Sequence, residues 1–441
     1  MNKKLSRILA IVLISVASSS QAQIITTIAG DGIAGFAGDG LIASYSRFNK
    51  PMAVAVDDSG NIYISDFNNQ RIRKVNTYGF MSTIAGTGLQ GGSGDGGQAK
   101  NAKLFSPAGM TLDKGHKNLY IADSKNHRIR KINFETGVIS TVAGNGTAGF
   151  NGDTIQAMSA KLNLPMGVAL DDAGNMYIAD AENNRVRKVD VNGIITTLAG
   201  TGAHAFGGEN VPARTAILNR PQNVAVAPNG DVYIADSYNN RVRKVNSAGI
   251  ITTVAGSSFP KFGGDGGAAG SSDLNFPTSI AFDRKGNTYI TDAFNNRVRY
   301  IDPNGLINTL AGDGRSISGT DGGPAADAQI NGPLGVAIDS NNNIYVTEIS
   351  NNLRFIYNGP VNEEPITIFP NPGKEQVSVV LASSFEELAT MTIINQLGQR
   401  MYNIIVPTNR VVAVKFDIPG TYYLSAISKH KKWSGKAIML H

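Results

Sequence analysis

The stretch Tyr63 to Val75 reads YISDFNNQRIRKV, and the chain repeats it five more times with small changes. The later copies read YIADSKNHRIRKI, YIADAENNRVRKV, YIADSYNNRVRKV, YITDAFNNRVRYI and the degraded YVTEISNNLRFI. They begin at six tyrosines spaced 57, 57, 56, 56 and 56 residues apart: Tyr63, Tyr120, Tyr177, Tyr233, Tyr289 and Tyr345. Self-similarity at a fixed period of this length indicates an array of six equivalent supersecondary units.

Each unit contains four short apolar runs that are separated by turn residues. In the first unit the runs are MAVAVD, NIYISD, RIRKV and MSTIAG, and the separators are rich in Gly, Asn, Asp and Ser. This pattern predicts one four-stranded antiparallel sheet per unit. Sheets repeated at this period close radially, so we expect an all-β, six-bladed β-propeller with the first strand of each blade innermost.

A segment of constant length joins each fourth strand to the next first strand. It runs 21 residues from a Gly to a Pro in all six cases: Gly30 to Pro51, Gly86 to Pro107, Gly144 to Pro165, Gly200 to Pro221, Gly256 to Pro277 and Gly312 to Pro333. The fourth-strand signature TxAG also occurs at Thr27, before the first unit, and is missing after the sixth. We therefore predict that Ile24 to Ala29 forms the outer strand of the sixth blade and closes the ring.

The two ends of the chain depart from the repeat. Residues 1–22 carry a basic start, an apolar run from Ile8 to Ala17 and a small-x-small pattern, which predicts a signal peptide cleaved between Ala22 and Gln23. Residues 23–357 form the propeller in this interpretation, and residues 358–365 have linker composition. Residues 366–441 alternate strand and turn patterns, which predicts a small β-sandwich.

Composition excludes several classes of protein and of site. The chain has 441 residues and no cysteine, so disulfide scaffolds, zinc–thiolate sites, iron–sulfur clusters and thiol nucleophiles are excluded. Of the net charge of +6, residues 1–22 carry +3 and residues 361–441 carry +2, which leaves +1 for the repeats. A nearly neutral body has no net field to attract phosphates, so we expect no nucleic-acid partner. No later run reaches the roughly 18 apolar residues of a transmembrane helix, so we expect no transmembrane segment. We also expect the protein to be a monomer.

The repeats resemble the NHL repeat, whose hallmarks are the GVA-type strand, Asp, Gly-Asn, YIAD and NNRVRKV. The resemblance covers about 334 of the 441 residues and implies a propeller, but NHL propellers include binding modules, scaffolds and enzymes.

The C-terminal motifs IFPNPGKEQVSVV, NQLGQRMYN, IPGTYYLSAIS and KHKKWSGKAIML resemble the type A sorting domain of type IX secretion in Gram-negative bacteria. The residues that carry this resemblance are Pro370, Asn371, Pro372, Gly398, Gln399, Gly420 and Tyr422. The resemblance implies the type IX secretion machinery as a partner, export through the periplasm, and an extracellular or outer-membrane surface location. An ordinary carbohydrate-binding or adhesion sandwich is the alternative.

Each second strand ends in an acidic residue, and five of the third strands begin with arginine. The pairs are Asp66 and Arg71, Asp123 and Arg128, Asp180 and Arg185, Asp236 and Arg241, and Asp292 and Arg297. A charged ring at the channel mouth is one interpretation. We favour a structural ring, because a covered guanidinium needs a carboxylate and six-fold repetition is what the architecture requires.

The long loops carry two further recurrent features. An acidic residue stands nine positions after the Gly in every loop, at Asp39, Asp95, Asp153, Glu209, Asp265 and Asp321. Beside glycine it predicts either a self-bonded turn or a Ca²⁺ ligand. Four loops carry Phe at the sixth position, at Phe36, Phe150, Phe206 and Phe262. These rings either stack on sugars or hold the loop on the disc.

No catalytic triad, phosphate-binding loop or metal motif appears, so the sequence predicts a binding module rather than a particular enzyme. Strand alternation places the second-to-third strand loops and the long loops on one face of the disc, and we expect a protein or polysaccharide ligand there. Glu348, where the sixth repeat departs from the others, is a candidate ligand contact together with the four phenylalanines. The alternative is a hydrolase or lyase with Ca²⁺ at the centre of the channel and otherwise no cofactor.

Overall fold

The computed structural model describes residues 23–439 apart from 320, 359–362, 370, 372–373, 375, 382–387, 397–398, 409 and 429–431. The predicted signal segment therefore lies outside the described residues. The described chain consists of β-strands, turns and single-turn 3-10 helices. This confirms the all-β class that the alternating pattern predicts.

The strands of the repeats form six consecutive antiparallel sheets in this part of the chain. The first strand in the chain is β1 (Ile24–Ala29). Sheet one holds β2 (Pro51–Val56), β3 (Ile62–Asp66), β4 (Arg71–Val75) and β5 (Met81–Ala85); sheet two holds β6 (Pro107–Leu112), β7 (Asn118–Asp123), β8 (Arg128–Asn133) and β9 (Ile139–Ala143). Sheet three holds β10 (Ile155–Gln156), β11 (Pro165–Leu170), β12 (Met176–Asp180), β13 (Arg185–Val189) and β14 (Ile194–Ala199). Sheet four holds β15 (Val211–Pro212), β16 (Asn223–Val226), β17 (Val232–Asp236), β18 (Arg241–Val245) and β19 (Ile250–Ala255). Sheet five holds β20 (Pro277–Phe282), β21 (Thr288–Asp292), β22 (Arg297–Ile301) and β23 (Ile307–Ala311), and sheet six holds β24 (Pro333–Ile338), β25 (Ile344–Glu348) and β26 (Leu353–Tyr357) together with β1.

The two ends of the repeat array meet in sheet six. Strand β1 pairs antiparallel with β26, with Ile24 opposite Tyr357 and Thr27 opposite Arg354. The first strand of each sheet contacts the first strand of the next, and β24 contacts β2. The prediction that the N-terminal strand completes the last sheet is thus confirmed, and the ring of sheets is that of a β-propeller.

Small residues allow the inner strands to approach one another around the axis. A Cβ atom added to Gly335 would lie 2.8 Å from the Ala53 Cα atom, and one added to Gly109 would lie 2.5 Å from the Met166 carbonyl oxygen. These positions therefore accept no side chain without a shift of backbone. The first strands enclose an axial channel of about 300 Å³, with His116 at one mouth.

The long loops are not confined to one face, which corrects the expectation from strand alternation. Each loop descends along the outer edge of the next sheet, so that in the first loop the Gly40 and Ala43 amides donate to the Met81 and Gly79 carbonyls. A single-turn 3-10 helix marks each descent: Ala43–Tyr45, Ala99–Asn101, Ala157–Ser159, Ala213–Thr215, Ala269–Ser271 and Ala325–Asp327. The physical reason is that the fourth strand would otherwise expose a row of unpaired backbone groups.

The C-terminal region folds as two further sheets. Its strands are β27 (Glu363–Pro365), β28 (Thr367–Phe369), β29 (Gln376–Val380), β30 (Leu388–Asn395), β31 (Arg400–Pro407), β32 (Val412–Lys415), β33 (Gly420–Ile427) and β34 (Lys432–Met439). The sheet order is β27-β34-β33-β30-β31 for one and β28-β29-β32 for the other. They share a core of their own around the fully buried Trp433, as expected of a β-sandwich.

Candidate functional site

One end of the ring collects the start of each first strand, the turn between second and third strands, and the first half of each long loop. We call this end the loop face, and its second-to-third turns span 66–71, 123–128, 180–185, 236–241, 292–297 and 348–352. Five of these turns contain a 3-10 helix: Phe67–Asn69, Ser124–Asn126, Ala181–Asn183, Ser237–Asn239 and Ala293–Asn295.

A fully buried arginine lies beneath each turn of the loop face. In sheet one it is Arg73, whose guanidinium lies 3.4 Å from Asp66 and 2.9 Å from the loop residue Asp39. Its counterparts are Arg130, Arg187, Arg243, Arg299 and Arg354, all with no exposed surface. The arginine that pairs with Asp66 is therefore the third residue of the third strand and not the first, as the sequence predicted. Both arginines lie on the same face of the sheet, because they are two positions apart in one strand, and Arg73 stands farther from the strand end, where it is fully buried.

Burial raises the pKa of the second-strand carboxyl groups. Desolvation raises the pKa of Asp180 to about 6, against the opposing effects of hydrogen bonds from the Asn163 amide and the Asn183 side chain and of the Arg187 charge. The same balance raises the pKa of Asp66, Asp123, Asp236 and Asp292 to about 6. A ring of buried, arginine-paired carboxylates is a structural device rather than an accessible site.

The arginine that opens the third strand stacks on the loop phenylalanine. The Arg71 guanidinium carbon lies 3.6 Å from the Phe36 ring centroid, and Arg71 donates to the carbonyl oxygens of Asn69 and Thr87. The same stack joins Arg185 to Phe150, Arg241 to Phe206 and Arg297 to Phe262. In sheet two Arg128 donates instead to the Gly92 carbonyl. The arginines cover ring faces that a sugar would need, so this geometry favours the loop-holding interpretation of the four phenylalanines.

The loop carboxylates bond to the sheet they cover. Asp95 accepts hydrogen bonds from Arg130 and from the Thr141 hydroxyl, and Asp153 accepts from Arg187 and Thr197. Asp39, Asp265 and Asp321 likewise contact the buried arginine of their sheet, and Glu209 contacts Arg243 and Thr253. In the described part of the chain, no three His, Asp or Glu residues cluster as a metal site would require. The Ca²⁺ hypothesis stays a prediction.

Glu348 is not available to a ligand, which corrects its assignment as a ligand contact. It is fully buried and accepts hydrogen bonds from the hydroxyls of Ser318 and Ser350 and from Arg354. The turn of sheet six is one residue shorter than the others, so Asn352 occupies the place of the stacking arginine. The irregular sequence of the sixth repeat thus rebuilds the same buried network with different donors.

Three aromatic side chains form an exposed cluster on the loop face of sheets four and five. The Phe276 and Phe294 rings stack with centroids 4.7 Å apart and planes 10° apart, and Tyr238 meets Phe276 edge to face at 5.1 Å. Tyr238 is 47% exposed and Phe294 65%. We call Tyr238, Phe276 and Phe294 the aromatic cluster.

Sequence reasoning missed the aromatic cluster because its members are far apart in the chain. Tyr238 and Phe294 occupy the variable position of the repeated phrase, where the first three copies have Asn68, Lys125 and Glu182. Phe276 immediately precedes β20. Comparing the repeats position by position would have shown two aromatic residues where the consensus is polar.

The predicted processing and sorting residues lie at the ends of the described chain. The Gln23 side chain donates to Asn358, while Ala22 lies outside the described residues. The Asn371 side chain donates to the Lys436 carbonyl and accepts from the Ile438 backbone amide, both in β34. The Gln399 backbone amide donates to the Asn395 side chain. Gly420 is the first residue of β33, and the Tyr422 hydroxyl donates to the Ile418 carbonyl. Pro370, Pro372 and Gly398 lie outside the described residues. No described helix is long and apolar enough to cross a membrane.

Comparison with known families matches both parts of the chain. Residues 48–75 and 218–245 match the family described as NHL repeat, and residues 146–207 match the Teneurin NHL domain. Residues 367–440 match the secretion system C-terminal sorting domain. Both resemblances seen in the sequence are thereby confirmed, and the sorting domain indicates export by type IX secretion to the cell surface or the extracellular space.

Individual relatives share the repeats. SUPPRESSOR OF QUENCHING 1 of Arabidopsis thaliana is 29% identical over 317 residues, which cover 69% of this chain and 30% of that protein. Teneurin-4 of Mus musculus is 31% identical over 303 residues, covering 59% of this chain and 11% of that one. The chain therefore spans 30% or less of the length of these relatives. The solved structure of an auxiliary nutrient binding protein from Bacteroides ovatus has the same fold, with a TM-score of 0.56, 15% identity and 77% coverage of both chains.

Proposed function

Because the chain is an NHL-repeat protein that ends in a secretion-system sorting domain, we propose that it is an exported binding module that recognises a protein or polysaccharide through its loop face. In this proposal the chain passes through the periplasm and is then displayed on the outer membrane or released from it. The solved auxiliary nutrient binding protein is an example of the fold in a binding role.

The observation that carries the proposal is the aromatic cluster. Each sheet needs its buried arginine, its two carboxylates and its covered outer edge, and these recur around the ring. Exposed rings at Tyr238 and Phe294 contribute to none of these repeated contacts. Exposed aromatic residues on a rigid scaffold are typical of ligand contacts.

The proposal is tested by presenting the full-length secreted chain to an array of glycans and to extracellular proteins in a pull-down. We expect a specific, saturable ligand that heat-denatured chain does not retain. If native chain retains nothing beyond what the denatured control retains in either assay, the proposed binding function is wrong.

A further inference from the structure

We propose that the aromatic cluster is a stacking site for a neutral polysaccharide. This inference rests on the proposed binding function and names the class of its ligand.

The fold does not require an aromatic side chain at position 276. Phe276 has a φ of 58°, in the left-handed region that glycine adopts more readily than a bulky residue. The equivalent residue of sheet six is Gly332, with a φ of 52°, and both amides donate to an asparagine of the preceding sheet. The same left-handed backbone recurs in the other four sheets, at Lys50, Ser106, Leu164 and Arg220, so the repeat imposes it whatever the side chain. Because lysine, serine, leucine, arginine and glycine all occupy this position, the fold does not require a ring there, and the ring of Phe276 is specific to sheet five.

The exposed rings present flat apolar surface next to hydrogen-bonding groups. The Phe294 ring stacks on one face of the Phe276 ring, and the planes of the Tyr238 and Phe276 rings meet at 75°. The Arg220 guanidinium lies 5.1 Å from the Tyr238 centroid and forms an ion pair with Glu182. Because Arg220 covers one face of Tyr238, the ring that offers most surface for stacking is Phe294, which is 65% exposed. A pyranose has an apolar C–H face that suits such a ring.

The exposed area suits a short run of sugar units better than a protein surface. An aromatic side chain has about 150–250 Å² of surface, so the exposed parts of Tyr238 and Phe294 together offer roughly 200 Å². A stable protein–protein interface needs about 800 Å² from each partner. The cluster is therefore large enough to stack a few pyranose rings and too small to hold a protein by itself.

The charges at the cluster favour a neutral polymer. Among the described residues, Arg220 is the cation placed over a ring of the cluster, and Glu182 neutralises it at 3.0 Å. The paired charges provide no net attraction for sulfated or uronic-acid chains. Binding that depends on ring stacking is also expected to resist salt.

The test is affinity electrophoresis of the full-length secreted chain in gels that contain laminarin, mannan, xylan or dextran. We expect at least one of these neutral polysaccharides to retard the wild type, to the same extent at low salt and at 0.5 M NaCl (on the order of a 3–10 Å Debye length). Phe294→Ala and Phe276→Gly should each weaken the apparent affinity about tenfold or more. Tyr78→Ala is the matched control, because Tyr78 is 70% exposed and lies in a turn at the other end of the ring.

The Phe276→Gly variant separates a binding role from a structural one. Because Gly332 stands at the equivalent position, this variant should keep or raise the melting temperature while it loses retardation. Retardation of both cluster variants equal to that of the wild type, or no retardation of the wild type by any of the four polymers, would overturn the inference. A protein ligand found in the pull-down without polysaccharide binding would overturn this inference and leave the proposed function standing.

Discussion

At the scale of single residues, two arginines that are two positions apart in one strand have different tasks. Arg187 is fully buried between Asp180 and Asp153, whereas Arg185 stacks on Phe150 at the loop face. Sequence alone indicated that arginine and carboxylate belong together, but it assigned the carboxylate to the wrong arginine. Both side chains lie on the same face of the sheet, and the depth at which each one stands decides the partner, because only Arg187 is fully buried beside Asp180.

This difference predicts unequal effects of the same substitution. Arg187→Met leaves two carboxylates next to a dry interface, so we expect the free energy of unfolding of the propeller to fall by about 3–5 kcal/mol. Arg185→Met removes a partly exposed stack and two hydrogen bonds to carbonyls, and we expect a loss of roughly 1–2 kcal/mol. Urea denaturation of the two variants measures this, and an Arg185→Met loss equal to or above that of Arg187→Met would contradict the assignment.

The buried carboxyl groups predict a pH dependence of stability. Burial raises the pKa of Asp180 to about 6, above its ordinary value of 3.8, so the folded chain binds this proton more readily than the unfolded chain. Stability from this group is therefore fully present at low pH and is lost as pH rises from about 4 to about 6, with a slope of up to roughly 1.4 kcal/mol per pH unit. The Asp180→Asn variant lacks this carboxyl group and therefore serves as the reference that does not titrate.

Melting temperatures at pH 4.5, 5.5 and 6.5 check this prediction. The advantage of the wild type over Asp180→Asn should shrink as the pH rises through this range. A constant difference at all three values would mean that the pKa of Asp180 is not raised in the folded chain.

At the scale of elements, the ring depends on one short strand, β1, that precedes the first sheet. Strand β1 pairs with β26 and is in turn covered by the last long loop, in which Gly323 accepts a hydrogen bond from the Ile25 amide. Its Ile24 and Ala29 lie in a core cluster shared with sheet one, and Ile25 lies in one shared with sheet five. The strand thus connects three sheets.

Deletion of residues 23–30 is therefore expected to open the ring. It exposes the edge of β26 and removes the buried side chains of β1, so the truncated protein should aggregate or melt well below the wild type. Differential scanning calorimetry with light scattering measures both effects. A melting temperature unchanged from that of the intact chain would show that β1 does not hold sheet six in place.

At the scale of the whole molecule, the propeller and the sorting domain have separate cores. Among the described residues, the sandwich core around Trp433 runs from Ile366 to Met439, while the propeller clusters contain residues from 24 to 357. Two cores without shared buried residues are expected to unfold independently.

Deletion of residues 361–441 should therefore leave the thermal transition of the propeller nearly unchanged and abolish secretion. Thermal unfolding of the truncated chain and its cellular fractionation measure the two effects, with the β1 deletion as the destabilised reference. Secretion of the truncated chain at the wild-type level would contradict the role of the sorting domain, and a strongly lowered transition would contradict the independence of the two cores.

The repeat spacing, the position of TxAG and the C-terminal motifs determined the fold, the closure of the ring and the sorting domain without coordinates, because each is a property of chain order and strand period. Tertiary structure was needed for everything that depends on which side chains meet. It decided that Arg73 rather than Arg71 pairs with Asp66, that the long loops cover the sheet edges, and that Glu348 is buried. It also brought Tyr238, Phe276 and Phe294 together, because residues more than fifty positions apart become neighbours only when adjacent sheets pack around a common axis.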